Sequence, residues 1–281
     1  MRALDFLRAR PSVAFGLILG GVLLTIAIAG PVFVTVDPNS IDVAARFSGP
    51  TSTHLLGTDD LGRDTLARLI YGSRMSLFIA VVSATLGTVL GQSIGLVSGF
   101  FGGWVDVFVM RVVDLFFAIP TILVAIGIVA LFGASATTTM LALGIAYAPF
   151  YARLVRGAVV GVRSQTYVDA SRVLGSGGFR LLRSDILPGV FPIALVQSTA
   201  LLGYALVDEA SLGFLGLGVQ PPDASWGAMI NAGVQLVFED PWLTLLPGIA
   251  VILAVFAINL AGDGLRDAVD PRSSQRVRAR S

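Results

Sequence analysis

Six long apolar stretches constrain this chain more than any other feature. They cover residues 13–36, 76–99, 105–131, 137–160, 190–215 and 243–261. A helix needs about 20 apolar residues to cross the hydrocarbon core of a bilayer. Only helices or closed barrels satisfy their own backbone groups there. The expected fold is therefore an all-α membrane protein with six transmembrane helices. Arg111 and Asp114 interrupt the third stretch, which places its start at the membrane interface. Pro120, Pro149, Pro192 and Pro247 fall in or near these stretches, where neighbouring helices can satisfy the freed backbone groups. Composition agrees. Hydrophobic residues make up 55% of the 281 and charged residues 13%, against about 25% charge in a soluble domain. Too few polar groups exist to cover a globular surface.

Arginine placement sets the orientation, because cytoplasmic segments carry the excess positive charge. With the N-terminus inside, the cytoplasmic side holds Arg2, Arg8, Arg10, Arg111, Arg153, Arg156, Arg163, Arg172, Arg180, Arg183, Arg266, Arg272, Arg276, Arg278 and Arg280. The outer side holds only Arg46, Arg63, Arg68 and Arg74. Both termini are thus expected in the cytoplasm. Arg2, Arg8 and Arg10 followed by an apolar run and Ala27-Ile28-Ala29 also resemble a signal peptide. The run continues past that point to Val36, with Pro31 close behind, so an uncleaved span is the better reading.

Several function classes fall away. A net charge of +1 gives no global field for nucleic acid. The chain has no cysteine and a single histidine, His54, so a Cys/His metal site is excluded. It also has no lysine: all 19 basic residues are arginine. A phosphate-cradling Walker loop needs its lysine, so no ATP site of that type and no bound cofactor is expected, and ATP energy must come from another polypeptide.

Two segments carry local structure. In the second stretch Gly87, Gly91, Gly95 and Gly99 repeat small-xxx-small along one face, which lets helix backbones approach closely in lipid. Packing inside the same subunit is favoured over a subunit contact; Gly157 and Gly161 repeat the pattern more weakly. The cytoplasmic loop between the fourth and fifth stretches is about thirty residues long, which is long for a helix connection. Thr166-Tyr167-Val168-Asp169 reads as a capping box. Tyr167, Ala170, Ser171 and Leu174 then share a helical face, and Gly175 ends the helix. A second amphipathic stretch, 179–186, is expected to stop at Pro188. The pattern reads either as a surface loop helix or as a docking element.

Asp169-Ala170-Ser171, Gly175 and Leu187-Pro188 resemble the EAA motif of ABC importer permeases. Asp169 stands in place of the usual Glu, Ser171 in place of Ala, and Asp185 where peptide permeases usually have His. His54–Asp64, Leu69–Arg74, Gly102–Asp106 with Met110, Arg111 and Asp114, Phe214–Pro222 with Ser225-Trp226-Gly227, and Asn259 with Gly262–Asp267 and Asp270-Pro271-Arg272 are similar to signatures of the DppC/OppC-like dipeptide and oligopeptide permeases. Five such runs in order cover nearly the whole chain.

The resemblance implies the type I ABC importer permease fold and a prokaryotic cytoplasmic membrane. Tyr167, Asp169, Ala170, Ser171, Leu174, Gly175, Leu187 and Pro188 would then form the ATPase-coupling segment. The implied partners are a homologous second permease subunit, two cytoplasmic ATPase subunits holding ATP and Mg2+, and an extracytoplasmic substrate-binding protein. The chain divides into residues 1–75 (first helix and outer loop), 76–267 (permease domain, with its coupling loop at 161–189) and 268–281 (basic tail). The cargo is expected to be di- or oligopeptides; nickel, glutathione or haem remain alternatives. An ion-coupled secondary transporter would show internal repeats and charged midplane sites, and neither is clear. A non-transporting membrane scaffold would not need so structured a loop.

Two features remain. Outer residues 58–71 alternate acids and arginines around Leu61, Leu66, Leu69 and Ile70, and read as an interfacial amphipathic helix whose charges satisfy one another. Asp208 and Glu209 sit near the outer end of the fifth stretch. Intramembrane carboxylates default to functional hypotheses, and these two are expected to line the pathway or its outer gate.

Overall fold

The computed structural model describes residues 10–269. The expected cytoplasmic arginines at 2, 8, 272, 276, 278 and 280, the Asp270-Pro271-Arg272 motif and most of the basic tail lie outside the described residues. Within them the chain is a helical bundle. Its helices are α1 (Pro11–Phe33), α2 (Thr65–Phe101), α3 (Gly103–Phe117), α4 (Thr121–Phe132), α5 (Ala136–Arg163), α6 (Thr166–Val173), α7 (Gly178–Leu181), α8 (Leu187–Phe214), α9 (Trp226–Val234) and α10 (Trp242–Val269).

Helix α2 has 37 residues, about 55 Å at 1.5 Å per residue, so it extends beyond a bilayer core. Its start corrects the expectation of an interfacial helix over 58–71. Residues 58–64 form a tight turn closed by a Thr58–Asp64 bridge, and the helix begins only at Thr65. The Asp59 carboxylate accepts from the Leu61 and Arg63 backbone N–H groups at 2.9 and 3.0 Å, an arrangement that competes with helix. Gly62 has φ +75°, with the Asp42 carbonyl packed where a side chain would stand. Asp64 then caps α2 by accepting from Ala67 N–H at 2.7 Å. The charges do pair with one another: Arg63 Nε lies 2.7 Å from Asp59, and Arg68 Nε lies 3.6 Å from the same carboxylate.

The third apolar stretch is not one straight span. It is α3 and α4, bent by 84° at their junction. Pro120 lacks a backbone donor and disfavours helix in the residue before it, so α3 ends at Phe117 and α4 starts at Thr121. Alone, α4 is about 18 Å long, too short to cross.

Among the described residues four helices are long and apolar enough to cross a membrane, or up to five if the bent pair counts as one span. Helix α5 is not among them. It carries Arg153, Arg156 and Arg163 and is rich in polar and small residues. Yet it is central: Leu143, Tyr151, Ala152, Val155 and Val159 are all fully buried. The glycine face of α2 is what it packs against. A Cβ at Gly91 would lie 2.6 Å from the Ala148 carbonyl oxygen, and one at Gly95 would lie 2.5 Å from that of Ala152. Gly87 and Gly99 meet Tyr147 and Val159 in the same seam. Gly157 and Gly161, by contrast, face open space, so the weaker repeat makes no packing contact within the chain.

Polar links fix the helices around this seam. Tyr151 Oη donates to the Ala194 carbonyl at 2.6 Å, joining α5 to α8. Arg156 grips the Asp106 carboxylate with two hydrogen bonds, 3.0 and 2.5 Å, joining α5 to α3. Arg153 pairs with Asp114 and stacks over Phe117, 3.7 Å from the ring centre. The Arg111–Asp114 interruption thus supplies an anchor for α5.

The expected stop at Pro188 is also corrected. A five-residue π-turn, Leu182–Ile186, joins α7 to α8, so helix runs from Gly178 to Phe214. Leu187 N–H bonds five residues back to the Leu182 carbonyl. That wider register removes the close contact between a proline ring and the preceding turn, and Pro188 is accommodated at the start of α8.

Candidate coupling face and outer carboxylates

Helix α6 sits at the expected cytoplasmic end of the bundle. The capping box does not form: the N-cap is Gln165, without a side-chain bond, and Asp169 instead accepts from Arg172 Nη1 at 2.9 Å. A carboxylate in the first turn still opposes the positive end of the helix dipole. Val168 is fully buried and anchors the helix to the bundle. Tyr167 Oη donates to the Asp185 carbonyl at 3.4 Å, a long bond that links α6 to the π-turn.

The helix ends as its glycine predicts. Gly175 has φ +85°. Its N–H bonds to the Arg172 carbonyl at 3.0 Å, and the Ser176 N–H bonds to the Ser171 carbonyl at 3.1 Å. That pair is a Schellman cap, which a left-handed glycine allows without strain. The cap leaves a face of large apolar side chains in the open. Tyr167 is half exposed, Leu174 is 86% exposed and Val173 87%, and Phe179 just beyond the turn is 77% exposed. Ala170 is exposed and Ser171 half-buried.

Leu187 and Pro188 do not join this face. They begin α8, Leu187 half-buried and Pro188 exposed. Val173 and Phe179 were not singled out in the sequence. Their signal was an apolar residue on either side of Leu174 and the glycine turn, where a solvated loop would carry polar groups.

At the opposite end, adjacent carboxylates have different surroundings. Tyr147 Oη donates to Asp208 Oδ2 at 2.6 Å, and Asp208 remains half-buried on α8. Tyr204, one turn away, is 63% exposed, and Ser211 is half-buried on the same face. Glu209 is fully buried. Its polar neighbours are the Ser76 and Ser225 hydroxyls, which accept the Trp226 and Ala228 backbone N–H groups and keep their own O–H to donate to the carboxylate. Glu209 therefore lines no open surface in this structure. The pair expected to act together is split: Asp208 faces outward from α8, and Glu209 lies behind α9. Helix α9 is itself tied to α2, because Trp226 Nε1 donates to the Leu69 carbonyl at 3.1 Å.

The architecture is that of a polytopic helical membrane protein. Its solved-structure neighbours include the MetNI methionine ABC transporter in inward-facing conformations, with TM-score 0.60 at 22% identity over 72% of this chain and 96% of that one. The family described as "Binding-protein-dependent transport system inner membrane component" matches residues 87–275, and the chain belongs to it. The chain is 37% identical over 257 residues to the dipeptide transport system permease protein DppC of Alkalihalophilus pseudofirmus, covering 92% of this chain and 84% of that one. It is 40% identical over 270 residues to the glutathione transport system permease protein GsiD of Pectobacterium atrosepticum, covering 95% and 89%.

Proposed function

We propose that this chain is the permease subunit of an ATP-driven importer that carries di- or oligopeptides across the cytoplasmic membrane of a prokaryote. The observation that carries this reading is the exposed apolar face of α6, on a rigid, capped helix, in a chain of the binding-protein-dependent family. A soluble loop has no reason to hold Val173, Leu174 and Phe179 in water. One of two ATPase subunits, which hold ATP and Mg2+, docks there. A homologous second permease completes the pathway, and a binding protein delivers cargo from outside. The chain itself carries out no covalent chemistry.

The six-crossing topology belongs to the same proposal. The bent α3–α4 pair and the arginine-bearing α5 each make one crossing, α5 with one face buried against its neighbours and Leu141, Ile145, Phe150 and Val160 exposed on the other. Both termini then lie in the cytoplasm. The face of α8 bearing Tyr204, Asp208 and Ser211 lines the pathway, since polar groups on a spanning helix belong against water or protein. Glu209 holds the outer gate from behind.

Peptide cargo follows from the names of the similar proteins, and glutathione, itself a short peptide, is the nearest alternative solute. The test is uptake by the assembled transporter in vesicles, using labelled dipeptides in competition with longer peptides, glutathione, nickel and haem. Dipeptide uptake that stops when the ATPases are inactivated supports the proposal. Uptake indifferent to ATPase inactivation overturns the importer reading, and competition by nickel alone overturns the peptide reading.

A further inference from the structure

Two neighbouring charge groups at the expected outer end behave differently. Asp59, Asp60, Arg63 and Arg68 neutralise one another through ion pairs of 2.7 to 3.7 Å. Beside them lies a cavity of about 720 Å³, lined by Val36, Asp37, Tyr71, Arg74, Phe78 and Asp223 among others. Among the described residues neither Arg74 nor Asp37 makes an ion pair, and Asp223 feels the charge of Arg68 without closing an ion pair on it. The Asp37 carboxylate accepts the Asn39 backbone N–H, at 2.8 Å. Charges of both signs therefore share one cavity without closing on each other.

The segments that line the cavity are tied together. Arg68 Nη1 donates to the Pro38 carbonyl at 3.1 Å, the Asn39 side-chain oxygen at 3.2 Å and the Pro222 carbonyl at 3.4 Å. One buried guanidinium thus holds together the segments that carry Asp37 and Asp223. The depth is also defined. Helix α1 ends at Phe33, and Val32 and Phe33 are 76% and 80% exposed. On α2, Phe78 is 56% exposed. The cavity itself is lined by apolar Val36, Met75 and Phe78 as well as by its charges, and it opens just past the end of α1, the depth at which lipid headgroups lie and at which Tyr and Arg side chains anchor.

We propose that this cavity holds the headgroup of a phospholipid bearing a primary amine, its phosphate on Arg74 and its ammonium between Asp37 and Asp223. The signs match group by group: the phosphate meets the one base, and the ammonium lies between the two acids. A primary ammonium has three N–H donors to divide between two carboxylates. A quaternary choline has none, and a glycerol headgroup has no positive charge. The acyl chains run down beside Phe78 and Phe33. This assignment rests on the membrane depth of the cavity and is independent of what the transporter carries.

The test uses the assembled transporter in nanodiscs of equimolar phosphatidylethanolamine, phosphatidylcholine and phosphatidylglycerol. After extraction, retained lipid is read by native mass spectrometry. Phosphatidylethanolamine is expected in about tenfold excess over the other two, from one or two charge-assisted hydrogen bonds. Arg74→Gln and Asp223→Asn abolish that excess, and Arg74→Lys keeps most of it. Both residues are exposed, so unchanged unfolding temperatures are expected and would show that the fold survives. Equal retention of the three lipids overturns the proposal, as does an excess that persists in both variants. Release of the retained lipid by a millimolar dipeptide also overturns it, by showing that the cavity takes peptide termini.

Discussion

The seam between α2 and α5 and the loop around α6 are both built from small and apolar residues, yet they meet opposite fates. In the seam, Gly91 and Gly95 are pressed against the carbonyls of α5 so closely that a methyl group would collide with them. On α6, Val173 and Leu174 touch almost nothing. The seam is satisfied within the chain, where lipid supplies no hydrophobic force and close backbone contact must supply the attraction. The α6 face is a surface still waiting for its partner. The same residue classes serve stability in one place and assembly in the other, so substitutions should separate the two.

The largest effect belongs to the seam. Gly95→Leu places a branched side chain against the Ala152 carbonyl and Val155. Overpacking of this kind costs about 3 kcal/mol where backbone is struck, the upper end of the usual range, and the protein should lose folded yield and melt early in detergent. A Gly95→Leu chain as stable as the parent would break the first half of the comparison. Next comes the α3–α5 link. Arg156→Ala removes two hydrogen bonds to a largely buried carboxylate and should cost about 1–2 kcal/mol, read as a lower melting temperature with membrane insertion intact.

Gly175→Leu tests the boundary between stability and assembly. A leucine in the left-handed region costs about 1–2 kcal/mol, confined to one surface cap. The subunit should insert and keep its bundle while ATPase docking or coupling fails; normal coupling of ATP hydrolysis to uptake would show that the cap does not matter. The smallest structural effect is that of Leu174→Ser. At 86% exposure it should change stability by no more than about 0.5 kcal/mol, while ATPase retention on purification drops. If stability falls instead, Leu174 is packed and the comparison collapses.

Much of this contrast was legible in the sequence. Four glycines at a spacing of four specify a close helix contact, and a glycine after an apolar helical face specifies a left-handed cap. What escaped depended on geometry that no local pattern encodes. Pro120 and Pro188 are both prolines beside apolar runs, but one breaks a span by 84° and the other is absorbed by a π-turn. The difference lies in whether the preceding turn can widen. The charged stretch at 58–64 has helical periodicity, but Asp59 and Asp64 spend their carboxylates on backbone donors, which shortens the helix from its N-terminal side. Asp208 and Glu209 are adjacent in sequence, yet about 100° of helical rotation sends one towards Tyr147 and the other behind α9.

The central claim is that the open face of α6 is where an ATPase subunit sits. The chain has no cysteine, so a single Leu174→Cys substitution reports on one position alone. In the assembled transporter, a short thiol-reactive crosslinker attached at that position should join this subunit to the ATPase, and ATPase binding should protect the thiol from labelling. An Ile249→Cys control, at an exposed position of α10, should do neither. A thiol at position 174 that labels equally with and without the ATPases, and never crosslinks to them, would contradict the account.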